Sequence, residues 1–418
     1  METQRIELSD VIENIAAGPF GSKLKVSSFV DYGFPIIDGA NLKGVALTDN
    51  ITKYVTEEKA RSLHRSIAKR GDVVVTISGT LGQIVYIPNN SQFEEYLCSQ
   101  RQFRVTFDKK KVYPPYLVFY FHTREGQHKI LAFANQTGVP ALSQPLRNFR
   151  KIMIDLPSLK LQKKIASYCE ILNEKIEENE RINKNLEAQA QSIFKSWFID
   201  APESSSWETG TFSDIIDTMI AGDWGKDSPL GNNTEMVYCI RGADIPDVKS
   251  GNKGKMPTRF ILPKNYVAKH HVAGDVVVEI SGGSPTQSTG RIASISQSLL
   301  DRYDRGMVCT NFCKAMKPKS GYSMFVYYYW QYLYDKNVFF LYENGTTGIK
   351  NLDISGFIET EPIILPPVEL VEKFDAFCHS FFDVIFANGL QNEKLANMRD
   401  ALLPKLMSGE IDVSDLDL

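Results

Sequence analysis

A long stretch without proline or glycine, residues 159–199, limits the folds open to this chain. Apolar side chains return there every seven residues, which is typical of a helix that packs against another helix. One position of this row is polar and is occupied by Asn179; the apolar members are Ile165, Leu172, Leu186 and Ile193. The pattern predicts a coiled-coil helix whose buried asparagine favours one register at some cost in stability.

The same row recurs 209 residues later in the sequence. Asn388 stands at the position equivalent to Asn179, and the apolar members of this second row are Phe374, Phe381, Leu395 and Leu402. An apolar row of this length needs a partner, and the nearest partner is the other copy. We therefore expect two long helices that pair with each other and fix their register through Asn179 and Asn388. The alternative is two unrelated core helices.

The segments before the two helices are repeated as well. Residues 71–79 and 274–282 differ at one position only, where glutamate replaces threonine. β-Branched runs after a Gly-Asp turn predict buried strands, whereas the aromatic run 116–122 fits either a helix or a strand. We interpret the chain as one module of mixed domain plus long helix, used twice. The predicted bounds are 1–155, 156–200, 201–364 and 365–418.

Composition excludes several classes of protein. No apolar run approaches the ~18 residues of a membrane span, and the start lacks the apolar segment of a signal peptide. The six cysteines have no Cys-x-x-Cys spacing, so we expect reduced, buried thiols in a cytoplasmic protein. The net charge is −3, although residues 1–155 hold 20 Lys and Arg against 15 Asp and Glu. This mild basic excess is a weak nucleic-acid signal.

Motifs for catalysis are absent from the sequence. There is no Gly-x-x-x-x-Gly-Lys-Ser/Thr loop for a nucleotide. Residues 113–116, Tyr-Pro-Pro-Tyr, lack the polar acceptor that amino-methyltransferase chemistry needs at the first position. The histidines and cysteines do not have metal-ligand spacing. We expect a chain without catalytic residues, bound metal or bound cofactor.

The repeated organisation resembles the specificity subunit of Type I restriction-modification systems over nearly the full length. Residues 193–200 and 402–411 resemble that family's two helix-end signatures. Residues 18–22, Gly-Pro-Phe-Gly-Ser, and the Gly-Asp-Val-Val strands resemble its target-recognition domains. The resemblance implies a mixed α+β and α/β fold. Two pseudo-repeated target-recognition domains would then be separated by two long helices that form an antiparallel coiled coil.

The resemblance also implies a function. Each domain would read one half of a bipartite, asymmetric double-stranded DNA target, and the helices would set the spacer and dock two methyltransferase subunits. Two restriction subunits would complete the nuclease. S-adenosylmethionine, ATP and Mg²⁺ would bind to these partners and not to this chain. The alternatives from the residues alone are a protein adaptor without DNA, or a nuclease or methyltransferase with a site between the modules.

Candidate DNA contacts in the first domain lie in loops with glycine, amide or cationic side chains. The loop 78–83 combines small residues with a glutamine able to pair with adenine, although an ordinary polar connector has the same composition. The lysines would hold phosphates, or would simply be solvated. The full set is Phe20, Gly21, Ser22, Lys23, Lys25, Ser78, Thr80, Gln83, Gln100, Arg101 and Thr137.

Candidates in the second domain lie at the corresponding places. Arg241 replaces Asp38 of the first domain and is therefore the preferred candidate for a guanine contact specific to one half-site. The loop 281–291 is longer than its counterpart. The full set is Trp224, Lys226, Arg241, Ser284, Gln287, Arg291, Asn311, Thr347 and Lys350.

Overall fold

A computed structural model of the chain describes residues 2–135, 138–284, 286–345 and 349–413. The chain divides into two compact units. The first unit is Met1–Glu174 with Ala396–Leu418, and the second is Lys175–Leu395. Each unit combines one repeated domain with segments of both long helices. The four sequence-based domain bounds stay a prediction.

The first unit is built on two four-stranded sheets. One is antiparallel throughout, with strands Ile12–Ala17, Gln102–Phe107, Val73–Thr76 and Ile84–Tyr86 in that spatial order. The other contains one parallel pair, Phe34–Ile37 with Glu95–Cys98, and its outer strands are Tyr54–Val55 and Ile67–Lys69. Two-stranded sheets add Thr3–Glu7 with Met153–Pro157 and Ala134–Asn135 with Ala141–Leu142.

Helices cover the first unit's antiparallel sheet. The aromatic run 116–122 lies in the helix Pro114–His122, which begins with two prolines whose missing N–H groups cost nothing in a first helical turn. All its residues from Pro114 to Phe121 are buried, so the run is a core helix. The other helices of the domain are Glu57–Ser62, Arg124–Leu131 and Pro145–Arg150.

The second unit repeats this plan. Its antiparallel sheet has the strands Ile216–Ala221, Cys313–Pro318, Val276–Glu279 and Ile292–Ser294, in the same order as their counterparts in the first unit. One three-stranded sheet contains Thr258–Ile261, Glu235–Ile240 and Met307–Cys309. A second three-stranded sheet contains Ser281–Gly282, Lys350–Leu352 and Glu343–Asn344. A two-stranded sheet pairs Glu208–Gly210 with Ile363–Leu365. The helices are Ile245–Lys249, Pro263–Lys269, Gln297–Leu300, Ser323–Asp335 and Ile354–Thr360.

Both long helices are present, and the predicted mixed fold is confirmed. The first long helix spans Leu159–Phe194 and continues as a π-helical turn over Lys195–Ile199. The second long helix spans Val368–Ser408. None of the helices in the described ranges combines the length and apolar character of a membrane span.

The seven-residue row describes the buried face of the second long helix only in part. Phe374 is buried, but Phe381 and Leu395 are half-buried. A helix with 3.6 residues per turn drifts by about 20° per heptad, so the buried face moves away from a strict seven-residue row. Within the second unit a row of buried positions follows steps of three and four residues: Val371, Phe374, Cys378, Phe382, Ile385, Gly389 and Asn392.

The predicted strands lie in the cores of the two domains. Val73, Val74 and Val75 are fully buried, as are Val276, Val277 and Val278. Strands buried on both faces read as continuous apolar runs, which is why these segments were recognisable. All six cysteines are buried free thiols, as expected from their spacing.

Candidate nucleic-acid interface

Five of the candidate residues of the first domain lie together around one cleft of about 480 Å³, called the first cleft here: Ser78, Thr80, Gln83, Gln100 and Arg101. The loop from Ser78 to Gln83 joins two neighbouring strands of the antiparallel sheet. Gln100 and Arg101 come from the loop before the strand Gln102–Phe107. Two loops separated in sequence therefore meet at one edge.

The loop of the first cleft has a fixed backbone. Gly79 and Gly82 have φ angles of +95° and +86°, which non-glycine residues rarely adopt. The Gly79 N–H donates to the Pro140 carbonyl at 2.9 Å. The Gln127 side chain donates to the Gly82 carbonyl at 2.9 Å. The polar groups of this loop are thus held in place by the rest of the domain.

The side chains of the first cleft differ in how free they are. The Gln83 amide accepts from Thr76 at 3.1 Å and donates to the Gly39 carbonyl at 3.3 Å, so an adenine would have to replace these bonds. Gln100 and Arg101 are exposed. Among the described residues, no carboxylate lies within ion-pair distance of Arg101. Its guanidinium is available to a base or a phosphate.

The Asp38 carboxylate also lines the first cleft. The sequence did not predict this position for Asp38. Asp38 pairs with Lys53 at 2.6 Å. Burial would raise the pKa of Asp38, but the hydrogen bonds from Lys53 and from the Ala40 amide lower it overall. The cleft therefore presents an ionised carboxylate beside cations and amides, as a surface that accepts and donates hydrogen bonds to base edges would.

A second cleft of about 430 Å³ lies in the same domain and contains Phe20 and Lys23. It is also lined by His64 and Arg65, which the sequence analysis missed because nothing in their short polar segment marks them as facing Phe20. Phe20 is 79% exposed. Gly21, Ser22 and Lys25 are exposed in the same segment. Thr137 lies outside the described residues.

In the second domain Trp224 stands where the first domain has Phe20. Its ring is covered by the Arg259 guanidinium, 4.0 Å from the ring centroid. Arg259 donates to the Trp224 carbonyl at 2.8 Å and is paired with Asp227. Lys226 is exposed, and its backbone exchanges two hydrogen bonds with Phe260 at 2.9 Å. Arg259 therefore holds the Trp224 side chain in place.

Arg241, the preferred guanine contact, is already engaged. Its guanidinium donates two hydrogen bonds to Asp244, at 2.9 and 3.1 Å, and one to the Lys255 carbonyl at 2.8 Å. Burial would raise the pKa of Asp244, but the hydrogen bonds from Arg241 and two amides lower it overall. A bidentate pair with a buried carboxylate leaves few donors for a base. The structure thus gives Arg241 an internal role, and its guanine contact stays a prediction.

Two further cations of the second domain are paired within the protein. Arg291 donates to both oxygens of Glu279, at 2.7 and 2.6 Å. Lys350 pairs with Glu343 at 2.7 Å. The carboxylates of both pairs are almost completely buried. These contacts hold loops to the domain and do not favour the predicted DNA contacts.

The remaining candidates of the second domain are polar. Ser284 and Gln287 close a tight turn, in which the Ser284 N–H donates to the Gln287 carbonyl at 2.7 Å. The side chains of Gln287 and Asn311 are exposed. Thr347 lies outside the described residues. Exposed amides are able to read base edges, so Gln287 and Asn311 are available for this role.

The two seam asparagines lie in the second unit. Asn179 donates to Gln391 at 2.7 Å and to Asn392 at 2.8 Å, while Asn388 donates to Asn183 at 2.8 Å. Asn183 and Asn392 are themselves equivalent positions of the repeat. The two amide pairs are therefore repeat-related, and within this unit the helix segments run antiparallel.

Comparison with known proteins shows what the chain is similar to. Residues 2–188 match the family model described as the Type I restriction modification DNA specificity domain. The Type I restriction enzyme MjaIX specificity subunit of Methanocaldococcus jannaschii is 26% identical over 377 residues, covering 87% of this chain and 82% of the relative. The chain is similar to Type I restriction-modification specificity subunits over most of its length.

Other relatives agree with this assignment. The HindI specificity subunit of Haemophilus influenzae is 21% identical over 424 residues, covering 82% of this chain and 87% of the relative. The crystal structure of a Type I restriction-modification S subunit from M. genitalium has a TM-score of 0.55 at 13% identity, covering 97% of this chain and 96% of that one. The structural likeness confirms the fold.

The similarity to specificity subunits decides between the functions left open by the sequence. The chain is a DNA-recognition subunit of a restriction-modification complex, and specificity subunits catalyse no reaction themselves. A protein adaptor without DNA, and a nuclease or methyltransferase, are not favoured.

Proposed function

We propose that the two repeated domains each read one half of a bipartite, asymmetric DNA target. The observation that carries this proposal is that two domains with one strand order present different side chains at equivalent loops. Phe20 corresponds to Trp224, and Asp38 corresponds to Arg241. A shared scaffold allows both domains to approach DNA in the same way, while different loop side chains select different bases.

In the first domain we propose that the first cleft contacts the DNA. Ser78, Thr80, Gln100 and Arg101 offer donors, and Gln83 together with Asp38 offers acceptors. Phe20, Gly21, Ser22, Lys23 and Lys25 would contact the backbone or the groove beside it. In the second domain the proposal rests mainly on Lys226, Gln287 and Asn311, because they are exposed, and on Trp224, which is two residues from Lys226 in the sequence.

We further propose that the paired helices determine the number of unread base pairs between the half-sites. The repeat-related pairs Asn179 with Asn392 and Asn183 with Asn388 support this, because amide pairs in an apolar seam favour one register. About seven residues inserted beside Asn179, with a matched insertion beside Asn388, would add about 10 Å of helix. We expect the spacer to lengthen by about three base pairs.

That insertion experiment has a clear contrary outcome. Both half-sites should remain unchanged while the spacer grows. If a half-site changed while the spacer kept its length, the helices would not act as the ruler. Insertion in one helix alone is the matched control, because it breaks the amide pairs and should abolish activity.

The proposed partners follow from the family. Two methyltransferase subunits would dock on the helices, and two restriction subunits would join them. S-adenosylmethionine, ATP and Mg²⁺ would be bound by those partners and used there. Because the substrate is the cell's own DNA and incoming foreign DNA, we place the complex in the cytoplasm.

The test of the proposed function is genome-wide adenine methylation in cells that carry this chain and its neighbouring methyltransferase. Cells that lack only this chain are the control. We expect a split, asymmetric motif that disappears with the chain. A motif that persists without the chain would assign sequence recognition to another protein.

A further inference from the structure

Phe20 exposes a large apolar ring in the second cleft, which also contains Lys23, His64 and Arg65. We propose that this ring inserts as a wedge at one base step of the half-site read by the first domain, with Lys23 and Arg65 on the flanking phosphates. The inference rests on the proposed function and adds to it how the first domain deforms its target. Apolar side chains that enter between base pairs partly unstack them and kink the duplex.

The backbone beneath Phe20 is fixed. The Gly18 N–H donates to the Gln102 carbonyl at 2.8 Å, and the Ser66 hydroxyl donates to the Ala17 carbonyl at 2.9 Å. A Cβ atom on Gly18 would lie 1.8 Å from the Ser99 carbonyl oxygen, so the segment packs directly against the neighbouring loop. The ring of Pro19 restricts the φ angle of Pro19 itself. The ring therefore projects from a stem that loses little freedom on binding.

The charges around Phe20 point to an anionic partner. The second cleft is lined by Phe20, Lys23, His64 and Arg65, and its lining contains no carboxylate. Within the described ranges, neither Lys23 nor Arg65 has an acidic group at ion-pair distance. An exposed aromatic ring among unpaired cations suits duplex DNA, whose phosphates flank stacked apolar bases. An apolar protein surface would leave these cations buried without partners.

The corresponding ring of the second domain is not free to insert. Trp224 is 39% exposed, half the value of Phe20, and Arg259 covers one face of its indole. Arg259 is itself 5% exposed and bound to the Trp224 and Gly225 carbonyls, at 2.8 and 3.4 Å. Stacking between two base pairs needs both ring faces. The wedge is therefore confined to one half-site.

This inference also predicts a property of the target. Pyrimidine–purine steps such as TA and CA/TG are the easiest to unstack. We expect one such step within or beside the half-site that the first domain reads. A Phe20→Ala variant should lose discrimination at that step more than at any other position.

The experiment uses the complex of this chain with its methyltransferase subunits and a duplex that carries its methylation motif. 2-Aminopurine replaces one base at a time, except the adenines that are methylated, because extrusion of a target base would itself change the signal. We expect fluorescence to rise several-fold at one step of one half-site on binding. The rise should be lost in Phe20→Ala, kept in Phe20→Leu and unchanged in Trp224→Ala.

The outcomes separate this inference from the proposed function. If the complex binds and methylates its motif but no step brightens, or if Phe20→Ala brightens the same step as the parent, the wedge is wrong and the proposed function stands. If the complex shows no preference for the motif, both are wrong. Lys23→Ala is a further control, since loss of one phosphate contact should weaken binding to all sequences and reduce the salt slope by about one.

Discussion

Several cations considered for DNA contact are unpaired in the described part of the first domain, whereas most of those in the second domain are paired, although the two domains share one strand order. In the first domain Lys23, Lys25 and Arg101 have no acidic partner at ion-pair distance among the described residues. In the second domain Arg241, Arg291 and Arg259 are bound to carboxylates, as is Lys350. A cation that is already paired releases fewer counterions from DNA. The comparison suggests that the first domain supplies more of the salt-dependent affinity.

One turn shows how such a difference arises. The first domain has Asp38-Gly-Ala-Asn41, and the second has Arg241-Gly-Ala-Asp244. In both turns the last side chain accepts a hydrogen bond of 3.0 Å from the first N–H. In the first domain the Asn41 side chain closes the turn, and Asp38 forms an ion pair with Lys53. The carboxylate of Asp244 closes the turn and also captures Arg241.

The largest expected effect comes from breaking that captured pair. Asp244→Ala should lower the free energy of unfolding by about 3 kcal/mol, because it leaves Arg241 and two backbone amides without their acceptor. Asn41→Ala, the matched change in the first domain, should cost about 1 kcal/mol. Urea unfolding measures both. Equal losses in the two variants would mean that the ion pair adds nothing to the turn.

A second effect should appear in DNA binding. Arg101→Ala should weaken binding of the complex to its motif by about 2 kcal/mol, since this guanidinium is exposed and unpaired. Arg291→Ala should change the affinity by less than about 0.5 kcal/mol, because Glu279 already occupies its donors. Salt titrations of affinity measure both variants. A larger loss of affinity in Arg291→Ala than in Arg101→Ala would contradict the comparison between the domains.

A smaller effect concerns how the second domain is attached to the first long helix. Glu187 of that helix accepts hydrogen bonds from Tyr327 and Tyr328, at 3.3 and 3.0 Å, and lies 3.7 Å from Lys249. Burial raises the pKa of the Glu187 carboxyl despite these contacts. The equivalent position of the second long helix is Ala396, so the first unit has no such group there.

The raised pKa of Glu187 determines the direction in which its contribution to stability changes with pH. The contribution of Glu187 to stability is present below its ordinary value of 4.5 and is lost as the pH rises through the raised value. The stability of Glu187→Gln relative to the parent should therefore increase with pH. Glu178→Gln is the control, because Lys175 lowers the pKa of the Glu178 carboxyl and its difference should stay flat above pH 4.5. The free energy of unfolding of each variant and of the parent is measured from pH 4 to 8. A difference between Glu187→Gln and the parent that does not change with pH would contradict this account.

Local patterns in the sequence were enough for the repeat, the long helices and the buried strands. Periodicity and β-branched runs depend on neighbours in the chain, so they are visible without the fold. The gathering of Ser78, Gln83 and Arg101 around one cleft also follows from loops at one sheet edge. The roles of these residues in DNA binding stay predictions.

The partners of the cations could not be predicted in this way. Arg259 and Trp224 are 35 residues apart, and no spacing rule connects them. Arg241 differs from Asp38 in a way that suggested base recognition, but the compensating change from Asn41 to Asp244 three residues later gave it an internal partner. Pairing depends on the folded backbone, whereas the sequence shows only which side chains are available.

The most direct test of the central claim is the methylation motif of variants altered in one domain only. Cells carrying the double variant Gln100→Ala with Arg101→Ala, and cells carrying Gln287→Ala with Asn311→Ala, are compared with the parent by genome-wide adenine methylation. We predict that each variant relaxes positions in one half of the motif, a different half for each, while the spacer keeps its length. Relaxation of both halves by one variant would contradict the assignment of one half-site to each domain.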